Sequence, residues 1–310
     1  MTHQALLWTG FAITLTVMFT LDLGVFNRKS HEISFREASV WTFVWVSLAL
    51  LFNIGVYLEL GKEKALEFLA GYVIEQSLSV DNLFVFIMIF SYFKISKKHQ
   101  PKILKWGIIG ALLLRAVFIV AGIDLIERFS WTVYIFGGIL IFTGIKMGFG
   151  KEDEIHPERN FAVRLVRRFM PITKRICGDK FFVNRRGIRA ATPLFLALVV
   201  VETSDVIFAV DSIPAVLSVT RDPLIVYTSN AFAIMGLRSL YYLLANVMGM
   251  FAYLKLGVSF ILTFVGVKML LAHTAYNISI QFSLGVILGV LVISVLTSVM
   301  FAKNKPHAKW

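Results

Sequence analysis

The stretch Val201-Glu202-Thr203-Ser204-Asp205-Val206-Ile207-Phe208-Ala209-Val210-Asp211-Ser212 lies inside an apolar run covering about 190–218. It holds three carboxylates where a lipid-spanning helix ordinarily holds none. An earlier run, about 65–93, contains Glu75-Gln76-Ser77-Leu78-Ser79-Val80-Asp81-Asn82. In both, two acids stand six residues apart, and a small polar side chain, Asn82 or Ser212, follows the second. A carboxylate at mid-bilayer costs roughly 2.5–3.5 kcal/mol even on the lenient insertion scale, so five uncompensated ones would cost about 12–17 kcal/mol. Acids kept at that cost are expected to be functional, and the simplest function is binding a cation.

Working outward, the 310 residues are 57% hydrophobic and only 16% charged, with a mean hydropathy of +0.76. Soluble domains hold about 25% charged residues, so the composition predicts an all-α polytopic membrane protein forming a single transmembrane domain over 1–310. The formal charge of +12 does not point to nucleic acid, because the basic residues cluster between apolar runs, as in membrane topology. The single cysteine, Cys177, rules out a disulfide framework within the chain. The first apolar run lacks a basic leader, so it reads as a retained helix rather than a signal peptide.

About 20 apolar residues cross a bilayer. Nine runs meet that length: 5–26, 39–59, 65–93, 104–123, 131–149, 190–218, 225–249, 254–272 and 279–302. With the N-terminus outside, the inner segments hold 23 Lys and Arg and the outer segments 4. This predicts an outside N-terminus and a cytoplasmic C-terminus.

The two acidic runs belong to larger copies. Arg115 follows Gly110-Ala111-Leu112-Leu113-Leu114, and Arg238 follows Ala233-Ile234-Met235-Gly236-Leu237. Gly144-Ile145-Lys146-Met147 recurs as Gly266-Val267-Lys268-Met269. The offsets are 130 for the acids, 123 for the arginines and 122 for the lysines. The units, 65–149 and 190–272, each hold three spans, and an odd number gives them opposite orientations. Inverted repeats with polar midplane sites characterise secondary transporters. The basic loop 150–189 joins the units, and Arg164-Leu165-Val166-Arg167-Arg168-Phe169 suits an anionic lipid surface.

Six residues turn an ideal helix by 600°, so Glu75 and Asp81 point about 120° apart. Both could face one point only if the helix broke. The length of these runs, the capping character of Asp81-Asn82 and Asp211-Ser212, and Pro214 all favour such a break. The candidate metal ligands are Glu75, Asp81, Asn82, Glu202, Asp205, Asp211 and Ser212, with Arg115 and Arg238 as ion-pair support. Five of the six histidines lie outside the spans and His273 sits at an edge. An oxygen-only set suits Mn²⁺, Mg²⁺ or Ca²⁺ rather than zinc or copper. Five acids against two arginines leave −3, so a divalent ion leaves −1, which protons can cancel. No catalytic residues and no resident cofactor are expected; the metal is cargo and the protein is not an enzyme. Among weaker signals, Asp22 reads as a boundary cap and Asn53 as an interhelical hydrogen bond. Lys146 and Lys268 read as snorkelling to opposite faces, and the acid-His cluster Glu152 to His156 as a solvated loop.

These motifs resemble the TerC family of integral membrane proteins, and closely its Alx-like branch. The resemblance rests on Glu75 to Asn82 and on Val201 to Ala215. Phe90-Ser91-Tyr92-Phe93, Thr228 to Ile234 and the two Gly-x-Lys-Met ends support it. It implies export of Mn²⁺ across the bacterial inner membrane, with Glu75, Asp81, Glu202, Asp205 and Asp211 as transport residues. Proton exchange remains an open coupling and the oligomeric state an open question. Two other classes compete. A non-transporting stress scaffold would need 151–185 and not the acids. An intramembrane aspartyl protease would carry a Gly-x-Gly-Asp motif, which is absent. A carrier for calcium is the alternative within transport.

Overall fold

The computed structural model describes residues 3–26, 34–149, 160–173, 176, 178–185, 188–247, 253–272, 274, 276 and 278–302. Among them run α1 (His3–Phe26), α2 (Phe35–Leu60), α3 (Lys62–Tyr92), α4 (Gln100–Arg128), α5 (Thr132–Phe149) and the short α6 (Phe161–Phe169). A two-stranded antiparallel hairpin follows, β1 (Phe182–Arg185) and β2 (Ile188–Ala191), with Phe182 opposite Ala191. Then come α7 (Pro193–Leu217), α8 (Pro223–Val247), α9 (Leu254–Leu271) and α10 (Ile280–Ala302).

Seven of these helices are long and apolar enough to cross a membrane: α2, α3, α4, α5, α7, α9 and α10. The protein is therefore an all-α, multi-pass membrane protein. Two further expected spans correspond to α1, whose apolar part is the shorter Leu6–Thr20, and α8. The polar groups of α8, Thr228, Ser229, Asn230, Arg238 and Ser239, are all buried. They face protein, where polar side chains at membrane depth can be satisfied. Outward faces carry large apolar side chains, such as Phe43 and Leu58 on α2, Val117 and Val120 on α4, and Ile293 and Leu296 on α10.

Local chemistry sets the helix ends. Ser34 caps α2 by accepting the Glu37 N–H at 3.2 Å. Gly61 alone separates α2 from α3, and its φ of 88° is one that glycine adopts without penalty. Pro193 opens α7, and the Asp222 carboxylate accepts the Leu224 N–H at 3.0 Å where α8 begins.

The expected break in the acidic helices does not occur. α3 is continuous for 31 residues, about 46 Å. α7 is continuous for 25 residues with Pro214 inside it. Pro214 lacks the N–H that would bond the Val210 carbonyl, so the ladder loses one bond there while the helix continues to Leu217. The Asp211 carboxylate, expected as a cap, instead accepts a hydrogen bond from another helix.

α3 packs against α8 and α7, α4 against α7 and α8, and α5 along α9. The α5–α9 pair is antiparallel and very close. A Cβ on Gly266 would meet the Gly137 carbonyl oxygen at 2.8 Å, and one on Gly144 would meet the Ser259 carbonyl oxygen at 2.8 Å. Ser259 Oγ donates to the Gly144 carbonyl at 2.6 Å. Small residues let helix backbones approach where hydrophobic driving force between helices is absent.

The α3–α4 turn lies beside the hairpin segment. His99 Nδ1 is 2.5 Å from Asp179 Oδ1, and Lys102 donates to the Asp179 carbonyl. α3 therefore ends, and α7 begins, at one end of the bundle, called here the hairpin end. Asp22, Cys177 and the Glu152 to His156 cluster lie outside the described residues or side chains.

Candidate functional site

Glycines on two helices allow the charged centre to assemble. On α3, Gly71 lies against α8, where a Cβ would stand 2.9 Å from Ser229 Oγ. On α4, Gly107 lies against Val201 of α7, and Gly110 directly against the Glu202 carboxylate. These bare faces draw α3 to α8 and α4 to α7, within about two turns of Glu75 and Arg115.

Arg115, only 1% exposed, sits where the four helices meet. Its Nη1 donates to Glu75 Oε1 of α3 and to Ser212 Oγ of α7 at 3.1 Å. Its Nη2 reaches Asp205 Oδ1 of α7 at 3.5 Å. Asn230 of α8 donates to the other Glu75 oxygen at 3.0 Å. Glu75 is 0% and Asp205 3% exposed. Asp205 Oδ2 and Arg115 Nε are buried without a hydrogen-bond partner among the described residues. Such an orphaned carboxylate oxygen is costly unless something occupies it.

The later acids face elsewhere. Asp81 and Asp211 line a cleft of about 980 Å³. Asn82, Thr143, Lys146, Ser204, Lys255 and Asn160 also line it. Thr143 Oγ1 of α5 donates to Asp211 Oδ1 at 3.0 Å. The cleft reaches Asp211, about 27 Å along α7 from Pro193. Because α3 and α7 do not break, the 120° between positions six apart separates Glu75 and Asp205 from Asp81 and Asp211. Two neighbouring sets result. Among the described residues, no three His, Cys, Asp or Glu side chains converge as a metal-holding group. Arg115 stands between Glu75 and Asp205 instead. Glu202, half-buried, lies over Gly110 one turn before Asp205.

Other expectations fare differently. Arg238 is buried on α8. Lys146 is exposed and lines the cleft. Lys268 does not snorkel: it is 5% exposed, and its Nζ has no partner among the described residues. Its helix packs against α5, α10 and α3, which leaves the ammonium no route to a headgroup. Asn53 Oδ1 likewise makes no hydrogen bond among the described residues, so its oxygen does not form the expected interhelical link.

Sequence reasoning missed Asn230, Thr143 and Glu67. Asn230 and Thr143 carry no charge, so the insertion cost that exposed the acids gave no signal. Glu67 was visible as an acid near the start of the span 65–93. It is buried, accepts from Thr220 Oγ1 at 2.5 Å and pairs with Lys64 at 2.7 Å. Lys64 also approaches Asp222 at 3.7 Å. This network lines a second cavity of about 540 Å³ with Arg221 and Met269, at the end where α3 begins and α7 finishes.

The Gly110 contact carries a prediction. Gly110→Ala places a methyl group where the Glu202 carboxylate now lies. A flexible side chain can move aside, so thermal unfolding in detergent changes little.

The family described as "Integral membrane protein TerC family" matches residues 60–306. A Myxococcus xanthus protein, "Uncharacterized membrane protein STKORF319", is 47% identical over 97% of this chain and 94% of its own length. An Escherichia coli K12 protein, named "Putative membrane-bound redox modulator Alx", is 46% identical over 93% of this chain and 92% of its own. A Photorhabdus laumondii protein of the same name is 45% identical over 97% and 96%. No solved structure matches. With the matched region covering most of the described spans, this chain belongs to the TerC family of integral membrane proteins.

Proposed function

We propose that the protein is a secondary carrier that exports Mn²⁺ from the cytosol across a bacterial inner membrane, in exchange for protons. The observation that carries this reading is two neighbouring sets of carboxylates on α3 and α7: Asp81 and Asp211 in the cleft, and the buried Glu75 and Asp205, where Asp205 Oδ2 has no partner among the described residues. Hard divalent ions prefer such ligands, and Mn²⁺ binds a given site more tightly than Mg²⁺. Protons are natural counter-ions for clustered buried carboxylates, where repulsion and desolvation disfavour full ionisation.

Helix packing supports an inverted repeat of 65–149 and 190–272. The Gly137–Gly266 and Ser259–Gly144 approaches are one contact seen twice under the offset of 122. The α3–α8 and α4–α7 pairings are related in the same way. On this reading the chain crosses the membrane nine times, with the N-terminus outside, the C-terminus cytoplasmic and the hairpin end facing the cytosol. The cleft is then the cytosolic entrance, and the Lys64, Glu67, Thr220 and Asp222 network closes the outer end. On α6, Arg164, Arg167 and Arg168 alternate with exposed Phe161, Leu165 and Phe169, which suits anionic lipid at the cytosolic surface. The redox wording in the relatives' names has no disulfide counterpart within this chain, whose one cysteine is Cys177.

The test is Mn²⁺ uptake by inside-out vesicles under an imposed pH gradient, with Ca²⁺ and Mg²⁺ as competitors. The wild type accumulates Mn²⁺ and alkalinises the vesicle interior as protons leave. Asp211→Asn and Glu202→Gln lose most uptake at unchanged protein level. Full uptake by both variants removes the reading, and preferential uptake of Ca²⁺ transfers it to calcium.

A further inference from the structure

We propose that Arg115 is a tethered stand-in for the cargo. Its guanidinium occupies the cation position of the buried site and leaves as the metal enters. This rests on the cation-carrier reading above and says how that carrier exchanges its ion.

Three oxygen-bearing side chains from two helices, Glu75, Asp205 and Ser212, converge on the guanidinium. They are the types a hard cation takes, and they lie in the two acidic motifs. Metal and guanidinium therefore compete for the same lone pairs. The fit of the guanidinium is incomplete. Asp205 is reached only at 3.5 Å through Oδ1, while its Oδ2 is buried and unpartnered among the described residues. Fully ionised, Glu75 and Asp205 would present two negative charges to the one positive charge of Arg115. A divalent ion in its place neutralises the pair, and a monovalent ion brings no more charge than the arginine already does. The device thus selects divalent over monovalent cations by charge, before ion size matters.

The displaced guanidinium has somewhere to go. Glu202 stands three residues before Asp205 on α7, so the two carboxylates neighbour one another on one face of that helix. Glu202 is the acid that receives Arg115 when the metal takes Glu75 and Asp205. Between ions the site refills itself, so an empty carrier does not expose two uncompensated carboxylates.

The experiment measures Mn²⁺ binding to purified full-length protein in detergent, by loss of the free Mn²⁺ EPR signal, for wild type, Arg115→Ala and Arg115→Lys. Removing the competitor is expected to tighten Mn²⁺ binding at least tenfold in Arg115→Ala. Millimolar guanidinium chloride should weaken that binding back toward the wild-type value. Mn²⁺ should raise the unfolding temperature of this variant more than that of the wild type. Arg115→Lys, whose compact ammonium lacks the planar fork that the guanidinium spreads between the two acids, should also bind more tightly than wild type, and it serves if the alanine variant does not fold. Weaker binding in a folded variant, or Na⁺ competing as well with wild type as with the variant, overturns the proposal. Failure of the wild type to bind Mn²⁺ at all is a different result and removes the carrier reading itself.

Discussion

Glu75→Ala is expected to cripple folding as well as transport, whereas Asp205→Asn should abolish transport and leave the fold standing. Glu75 is the acid that Arg115 and Asn230 share, and it has no exposure. Its removal strands a buried guanidinium with only Ser212 and a distant Asp205 oxygen. Breaking a buried pair by deleting one partner costs about 3–5 kcal/mol. That is a large part of the ~5–15 kcal/mol that holds a typical domain together. Asp205 is different. One of its oxygens is 3.5 Å from Arg115 and the other has no partner among the described residues. The asparagine amide keeps the shape and removes a charge that the resting structure uses little. Thermal unfolding in detergent, membrane protein level and vesicle Mn²⁺ uptake, measured together, check the contrast. Equal loss of stability in the two variants would mean that Arg115 depends on both acids alike.

Gly266→Val should separate α5 from α9 and destabilise the protein. The new Cβ would meet the Gly137 carbonyl oxygen at 2.8 Å and the Ile141 backbone nitrogen at 3.0 Å. Backbone atoms cannot rotate away as a side chain can, so the helices themselves must part. Overpacking costs typically about 1–3 kcal/mol and more where nothing yields. Gly144→Val meets the Ser259 oxygen and Thr263 nitrogen, both at 2.8 Å, and should behave alike. Gly138 is the control, since nothing lies within 4 Å of the point where a Cβ would stand. Gly138→Ala should unfold within a degree or two of wild type. A thermal series on the three variants decides the matter, and a neutral Gly266→Val would contradict the close α5–α9 approach.

The acids were legible because charge at lipid depth is costly, and their spacing was legible because it repeats. Arg115 and Arg238 stood in register for the same reason. Asn230 and Thr143 escaped notice because neutral polar residues occur in apolar helices for many reasons. Lys268 looked like a snorkelling residue because its sequence position near a helix end resembles that of Lys146. Only packing revealed that α9 is enclosed there.

By itself, the amino-acid order determined the class, an all-α membrane protein, and which helices carry the acids. Hydrophobic run length and the cost of burying charge are properties of the chain alone. Tertiary structure decided that α3 and α7 stay unbroken, that the acids consequently form two sets, and that Arg115 lies between Glu75 and Asp205. Those outcomes depend on which helices approach closely, and that is set by glycines on one helix meeting particular side chains on another, a relation no single segment contains.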